Sequence, residues 1–122
     1  MGTIVNIFIL GVIVWFLYQR FFPKKGINNI TATELKAELN NKGNKQFIDV
    51  RTPNEYRGNH IKDFKNIPLS ELGKRAQELS KDKEVVVICQ SGMRSSNASK
   101  ALKKLGFKEV TNVKGGMSSW RE

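Results

Sequence analysis

The chain has 122 residues, of which 39% are hydrophobic, and a formal net charge of +10 at pH 7. This length allows one ordinary domain with a single core. One cysteine and one histidine exclude an intrachain disulfide and a zinc site made of several such ligands. We therefore expect no metal site and no cofactor.

The first predicted element is an apolar segment over residues 1–22. Between Ile4 and Tyr18 there is no charged residue, and only Asn6 is clearly polar. A helix of this length rises about 30 Å, which is about the thickness of the hydrocarbon core of a bilayer. The positive residues follow the apolar run, which is the wrong order for a signal peptide. We expect a transmembrane anchor; the alternative is a buried core helix.

Positive charges at the end of this segment predict its orientation. Arg20, Lys24 and Lys25 lie there, and such residues favour the cytoplasmic side of a membrane. A single cysteine also fits a reducing compartment. We expect a single-pass membrane protein whose domain is cytoplasmic. The basic charge suggests attraction to anionic headgroups or small anions. Without interleaved aromatic and basic residues, we expect no nucleic-acid partner.

A polar linker is predicted over residues 23–29, followed by one domain over residues 30–122. In the domain, Thr31 and Glu34 have the spacing of a capping box, which predicts a helix over residues 32–39. The remaining elements alternate between strand and helix, which predicts an α/β fold with a central parallel sheet flanked by helices. In chain order they are a strand over 46–50, a helical turn after Pro53, a helix over 70–79, a strand over 83–88, a helix capped by Ser95 or Ser96 that stops at Gly106, a strand over 109–113 and a short helix from about 115.

Cys89 lies directly after the clearest predicted strand and directly before a predicted helix. Ligands bind beyond the carboxyl ends of parallel strands, and the amides at a helix N-terminus favour negative charge. We therefore expect a lowered pKa and a nucleophilic thiolate at Cys89. Gly92 allows the loop amides to turn inward, and Arg94 adds a positive charge at the mouth of the loop. The alternative is an inert, partly buried cysteine.

The loop "CQSGMRS", residues 89–95, resembles the active-site loop of the rhodanese family of sulfurtransferases. The stretches "DVRTPNEY", "HIKDFKNIP" and "GGMSSW" resemble other parts of a single-domain rhodanese, in the same order. The resemblance runs from about Ile30 to Trp120. It implies a single-domain rhodanese-like sulfurtransferase. The expected N-terminal membrane anchor lies outside the resemblance.

The resemblance also implies residue roles. Cys89 would take a sulfane sulfur from a small donor, thiosulfate or a persulfide, and pass it to a thiol, a protein or another nucleophilic acceptor. Arg94 would orient an anionic donor or close the loop from beside it, while Asp49 and Arg51 would support the pocket. The loop that holds the persulfide would consist of Gln90, Ser91, Gly92, Met93, Arg94 and Ser95.

Several residues keep plainer alternatives. Asp49 can be a turn acceptor, and Arg51 can form a surface pair with Glu55. The resemblance makes His60 structural rather than catalytic, and Gly115–Gly116 a turn. Met117 and Trp120 would pack near the end of the domain.

The sequence departs from the family pattern in one stretch. Lys62, Asp63 and Phe64 stand where the family usually has proline, glycine and alanine, and Asn59 replaces a glycine. These changes bear on the shape of the turn and on substrate access.

Three other functions remain open. Cysteine phosphatases and arsenate reductases of related fold close a similar loop with arginine, but they place one residue more between the two. Here four residues separate Cys89 from Arg94. A membrane-tethered binding module and a redox sensor are the other two, and a sensor would need a resolving thiol from outside the chain.

Overall fold

The N-terminal segment is helical. A computed structural model describes residues 2–21 and 26–121, so Lys24 and Lys25 lie outside the described residues. Helix α1 comprises Gly2–Phe21, and the side chains described for it are exposed. Across these described ranges, no helix has both the length and the apolar character needed to cross a membrane. The expected transmembrane anchor over residues 1–22 is therefore not supported.

A five-stranded sheet lies at the centre of the domain. All of its neighbouring strands are parallel, and they lie in the order β1-β5-β4-β2-β3. The strands are β1 (Asn28–Ile30), β2 (Gln46–Asp49), β3 (Lys65–Asn66), β4 (Val85–Ile88) and β5 (Val110–Val113). This arrangement confirms the expected α/β fold with a central parallel sheet and places the carboxyl end of β4 between the ends of β2 and β5.

Helices cover both faces of this sheet. They are α2 (Ala32–Asn40), α3 (Pro53–Gly58), α4 (Leu72–Arg75), α5 (Met93–Lys104) and α6 (Gly116–Ser119). The capping box predicted for α2 is present, with Thr31 and Glu34 each accepting from the other's backbone amide. One core cluster contains α4 and α5 residues, and the other contains residues of α2 and α6.

Strand β4 is buried on both faces, as its four consecutive β-branched residues predict. Val85 and Val87 belong to the cluster under α5, whereas Val86 and Ile88 belong to the opposite cluster. This alternation continues past the end of the strand and directs Cys89 toward the α5 side.

Two short strands and one broken helix differ from the sequence prediction. Strand β1 begins at Asn28, inside the predicted linker, and β3 has only two residues. Both lie at the edges of the sheet. There, pairing with a neighbouring strand can fix an extended conformation in a segment that has no alternating hydrophobic pattern. The helix predicted over residues 70–79 is a 3₁₀ turn, the single turn α4 and a second 3₁₀ turn. Gly73 in its middle lowers the helix propensity there.

Candidate active site

Cys89 lies at the carboxyl end of β4 and is almost fully buried, with 1% of its surface exposed. It is followed by a three-residue connection and then by α5, whose first residue is Met93. The helix begins three to four residues earlier than predicted, so Ser95 and Ser96 lie inside its first turn instead of capping it. The early start requires Gly92 at φ +111°, a backbone conformation that residues with a side chain rarely adopt.

The sulfur of Cys89 is held by the first residues of this loop and helix. The backbone amide of Gly92 donates a hydrogen bond to Sγ at 2.9 Å, and the Ser95 Oγ lies 3.3 Å from Sγ. The Ser95 hydroxyl donates to the Gly92 carbonyl at 3.1 Å. Because a hydroxyl rotates freely, it can donate to the sulfur instead when the thiolate forms.

These contacts change the acidity of the thiol. Burial by itself raises the pKa of Cys89, because it disfavours the charged form. Hydrogen bonds to the sulfur come from the Ser95 side chain and from the amides of Ser95, Gly92 and Ser91. They outweigh the effect of burial, so the pKa of Cys89 lies below its usual value. The loop therefore stabilises a sulfur anion in a place that water hardly reaches.

The start of α6 holds the other side of the loop. The amide of Met117 donates to the Cys89 carbonyl at 2.8 Å, and the amide of Ser118 donates to the Gln90 carbonyl at 2.9 Å. Gly116 lies so close that a Cβ there would be 2.2 Å from the Cys89 carbonyl oxygen. With these carbonyls turned toward α6, the amides that follow are free to face the sulfur. The sequence predicted a turn at this glycine pair but not the close approach.

Asp49 and Arg51 form a buried ion pair next to the loop. Their side chains are 0% and 4% exposed, and the guanidinium contacts both carboxylate oxygens at 2.8 to 3.1 Å. Arg51 also donates to the Asn59 carbonyl at 2.6 Å and to Gln90 Oε1 at 3.3 Å. The pair thus connects the end of β2 to the Cys89 loop.

Arg94 does not point into the loop as a free cation. Its two terminal nitrogens contact the two carboxylate oxygens of Glu55 at 2.6 and 2.9 Å. The hydrogen bond with Arg94, followed by the one from the Thr52 backbone, lowers the pKa of Glu55 from 4.5 to about 2. Glu55 therefore stays ionised at all physiological pH values, and Arg51 takes Asp49 rather than Glu55 as its partner.

The sequence suggested Glu55 only as an alternative surface partner of Arg51 and not as the partner of Arg94. Glu55 is 39 residues from Arg94 in the chain, so no local pattern connects them. The sequence does contain a capping box of Thr52 and Glu55, which starts α3. This motif predicts that the Glu55 side chain turns back toward the N-terminus of the helix.

Phe64 and Asp63, two of the departures from the family pattern, make their contacts outside the Cys89 loop. Phe64 is buried in the cluster under α2 and α6, where its ring meets Phe47 edge to face at 5.3 Å. Asp63 pairs with Lys42 at 2.8 Å on the surface. His60 stacks on Tyr56 and its Nδ1 lies 2.8 Å from the Tyr56 carbonyl, which is a structural role. None of these contacts obstructs the Cys89 loop.

The pairing of Arg94 also bears on the phosphatase alternative. A loop that holds a tetrahedral oxyanion needs an arginine directed at the anion, but here Glu55 occupies that guanidinium. The loop is also one residue shorter than the phosphatase pattern. Both features disfavour phosphate ester chemistry at Cys89.

Comparisons with known proteins place this geometry in a family. The family model "Rhodanese-like domain" matches residues 31–122. The "Uncharacterized protein YqhL" of Bacillus subtilis is 37% identical over 119 residues, which are 98% of this chain and 92% of that protein. The "Putative sulfurtransferase YtwF" of the same organism is 39% identical over 94 residues, 77% of this chain and 90% of the relative.

A solved structure agrees with the sequence relatives. The crystal structure of a rhodanese-like domain protein from Staphylococcus aureus superposes with a TM-score of 0.73 and 30% identity. The superposition covers 79% of this chain and 93% of the other. From the family match, the relatives and the shared fold, we conclude that this chain belongs to the rhodanese-like domain family.

Proposed function

We propose that the protein is a sulfurtransferase that carries a sulfane sulfur as a persulfide on Cys89. The observation that carries this proposal is the amide of Gly92 at 2.9 Å from Sγ, at the N-terminus of α5. An anion at this sulfur is stabilised by backbone donors that need no rearrangement. A terminal persulfide sulfur is also an anion and benefits from the same donors.

The proposed reaction has two displacement steps. In the first, the Cys89 thiolate attacks the outer sulfur of a donor; the donor's S–S bond breaks as the new S–S bond to Sγ forms. Thiosulfate would leave as sulfite, and a persulfide RSSH would leave as the thiolate RS⁻. In the second, an acceptor thiolate attacks the outer sulfur of the Cys89 persulfide and restores the Cys89 thiolate. Electrons and charge balance in each step.

Each surrounding residue has a proposed role in these steps. Ser95 and Gly92 stabilise the thiolate when it attacks and when it leaves. Gln90, Ser91, Met93 and Arg94 complete the loop around the outer sulfur, and the Asp49–Arg51 pair holds Gln90 in place through the contact at 3.3 Å. The printed name of the relative YtwF, a putative sulfurtransferase, supports the same chemistry.

The test is the intact mass of the full chain after exposure to thiosulfate or, separately, to a small persulfide. We expect a gain of one sulfur atom that a thiol or cyanide removes. Cys89→Ser must abolish the gain, and Ser96→Ala serves as the control because the Ser96 side chain makes no hydrogen bond to the sulfur. No gain from either donor would reject the proposal and favour the binding-module or redox-sensor alternative.

We also propose that the domain works in the cytoplasm. The single cysteine, which fits a reducing compartment, supports this location. Attachment to a membrane through the N-terminal segment stays a prediction from the sequence. Fractionation of cells that express the full chain tests it: recovery in the membrane pellet after a high-salt wash is expected, and recovery in the supernatant would reject attachment.

A further inference from the structure

A cavity adjoins the Cys89 loop on the side of Arg94. Its volume is about 310 Å³, which is at the lower end of the range for small-molecule sites. Its walls come from the ends of β2 and β3 and from the start of α5. The lining residues are Val50, Thr52, Pro68, Leu69, Ser70 and Arg94.

The cavity is contiguous with the packing around Cys89. Val50 belongs to the same buried cluster as Cys89, and Leu69 packs against that cluster. The Val50 amide donates to the Ile88 carbonyl at 3.0 Å, one residue before the cysteine, and the Leu69 amide donates to the Val50 carbonyl at 3.1 Å. The floor of the cavity is therefore rigidly connected to the strand end that carries the nucleophile.

The walls of the cavity are mainly apolar at their base. Val50 and Pro68 are buried and Leu69 is half-buried, while Thr52 and Ser70 are exposed at the rim. Such a surface gains free energy by covering hydrocarbon, at about 25 cal/mol per Å² of apolar area removed from water. A small inorganic anion of a few atoms leaves most of this surface uncovered.

The positive charges beside the loop are already neutralised. Arg94 at the edge of the cavity has both terminal nitrogens on Glu55, and Arg51 has its guanidinium on Asp49. Within residues 26–121, these are the two guanidinium groups that belong to the loop or contact its side chains. A doubly charged donor would have to bind without a free counter-charge or displace Glu55 from Arg94.

From the cavity and the paired charges, we infer that this site is built for an organic persulfide with an apolar body, rather than for thiosulfate. This inference rests on the proposed sulfurtransferase function. The apolar body of the donor occupies the cavity, and its outer sulfur faces Cys89. Glu55 is the specificity-determining residue, because it removes the free cation that a dianion requires.

The transfer then needs no co-reactant. The Cys89 thiolate attacks the outer sulfur of RSSH, the S–S bond of the donor breaks, and the donor leaves from the cavity as RS⁻. The new S–S bond joins the outer sulfur to Sγ, and the proton of the outer sulfur passes to the departing thiolate, which leaves the persulfide on Cys89 as an anion. Sγ is formally oxidised and the sulfur that leaves as RS⁻ is reduced by the same amount, so no external oxidant or reductant is needed.

The first experiment changes the cavity. The second-order rate constant for loading Cys89 is measured on the full chain by rapid quench and intact mass, with 2-phenylethyl persulfide or thiosulfate as the donor. Ser70→Phe fills the cavity from its exposed rim. Ser70→Leu introduces a smaller side chain and serves as the second variant in case the phenylalanine variant fails to fold. We expect a roughly tenfold slower reaction with the organic persulfide and less than about a twofold change with thiosulfate. Thr33→Phe, on the exposed side of α2, is the control and changes neither rate.

The second experiment changes the charge. Glu55→Gln keeps the amide-accepting oxygen of the capping box but frees Arg94. We expect loading by thiosulfate to become about tenfold faster, with the organic persulfide within about twofold of the wild type. Glu34→Gln is the matched control, because Glu34 holds the same capping-box position in α2 and is remote from Cys89.

The outcomes separate this inference from the function on which it rests. Wild-type loading that is faster with thiosulfate, or equal effects of Ser70→Phe on both donors, would overturn the inference and leave sulfur transfer intact. An unchanged thiosulfate rate in Glu55→Gln would overturn the role of Glu55. Absence of Cys89-dependent loading with both donors in every variant would reject the sulfurtransferase function itself.

Discussion

Gly116 lies directly against the carbonyl of Cys89, 27 residues earlier in the chain: a Cβ at Gly116 would be 2.2 Å from that oxygen and 2.9 Å from the carbonyl carbon. The adjacent amide of Met117 donates to the same oxygen at 2.8 Å. The backbone of the final helix therefore packs directly against the Cys89 loop, and it does so only because residue 116 has no side chain.

Substitution of this glycine tests the positioning role. Gly116→Ala introduces the clash and also a side chain at φ +53°, so we expect a loss of about 2 kcal/mol or more in the free energy of unfolding. The amides around the sulfur also shift, so persulfide formation should slow. Chemical denaturation and intact-mass loading measure the two effects. Gly73→Ala is the control, since it lies in α4 with open space around it and should stabilise by about 0.5–1 kcal/mol.

Ser95 should account for part of the acidity of Cys89. Because the Ser95 side chain and amide are among the groups that lower the pKa of Cys89, Ser95→Ala should raise that pKa. The rate of alkylation by iodoacetamide then rises at a higher pH than in the wild type. Ser96→Ala, one residue further along α5, should leave the profile unchanged. Identical profiles for the two variants would contradict the role of Ser95.

The Glu55–Arg94 pair should make a pH-dependent contribution to stability. The folded pKa of Glu55 is about 2, below its usual 4.5, so the contribution is fully present above about pH 4.5 and is lost as the pH falls through about 2. Because both side chains are about one third exposed, solvent screening limits it to about 0.5–1 kcal/mol at pH 7. Glu55→Gln should be destabilised by this amount at pH 7 and should converge with the wild type in acid. Urea denaturation at several pH values measures the difference, and a constant difference down to pH 2 would contradict the pairing.

The buried Asp49–Arg51 pair should be far more sensitive to disruption. Arg51→Met leaves the Asp49 carboxylate buried without its partner, which should cost about 3–5 kcal/mol in the free energy of unfolding. Arg51→Lys should restore little of this stability, because an ammonium group cannot reproduce the bidentate contact of the guanidinium with the Asp49 carboxylate. Arg75→Met, which removes a half-buried arginine whose partner Glu78 is also partly exposed, should cost much less. Equal losses in the two methionine variants, measured by chemical denaturation, would contradict the structural importance of the buried pair.

Much of the candidate site could be predicted because its chemistry is local. Cys89 follows a run of β-branched residues and precedes Gly92 and a helix, so short-range preferences were sufficient to place a thiol at a strand end. The capping box at Thr31 and Glu34 was equally local, and the structure has it as predicted. The start of α5 was placed too late, because serine is a common helix cap and the left-handed conformation of Gly92 leaves no signal beyond the glycine itself.

The sequence by itself determined the α/β class, the central parallel sheet and the position of a thiol at a strand end, because periodicity, capping and turn residues act within a few positions of one another. Only the tertiary structure decided which charges meet and what lies beneath the loop. Glu55 reaches Arg94, and Gly116 reaches Cys89, across 39 and 27 residues of chain. Those distances are closed by the packing of helices onto a sheet, and that packing depends on the whole core and not on any short pattern of residues.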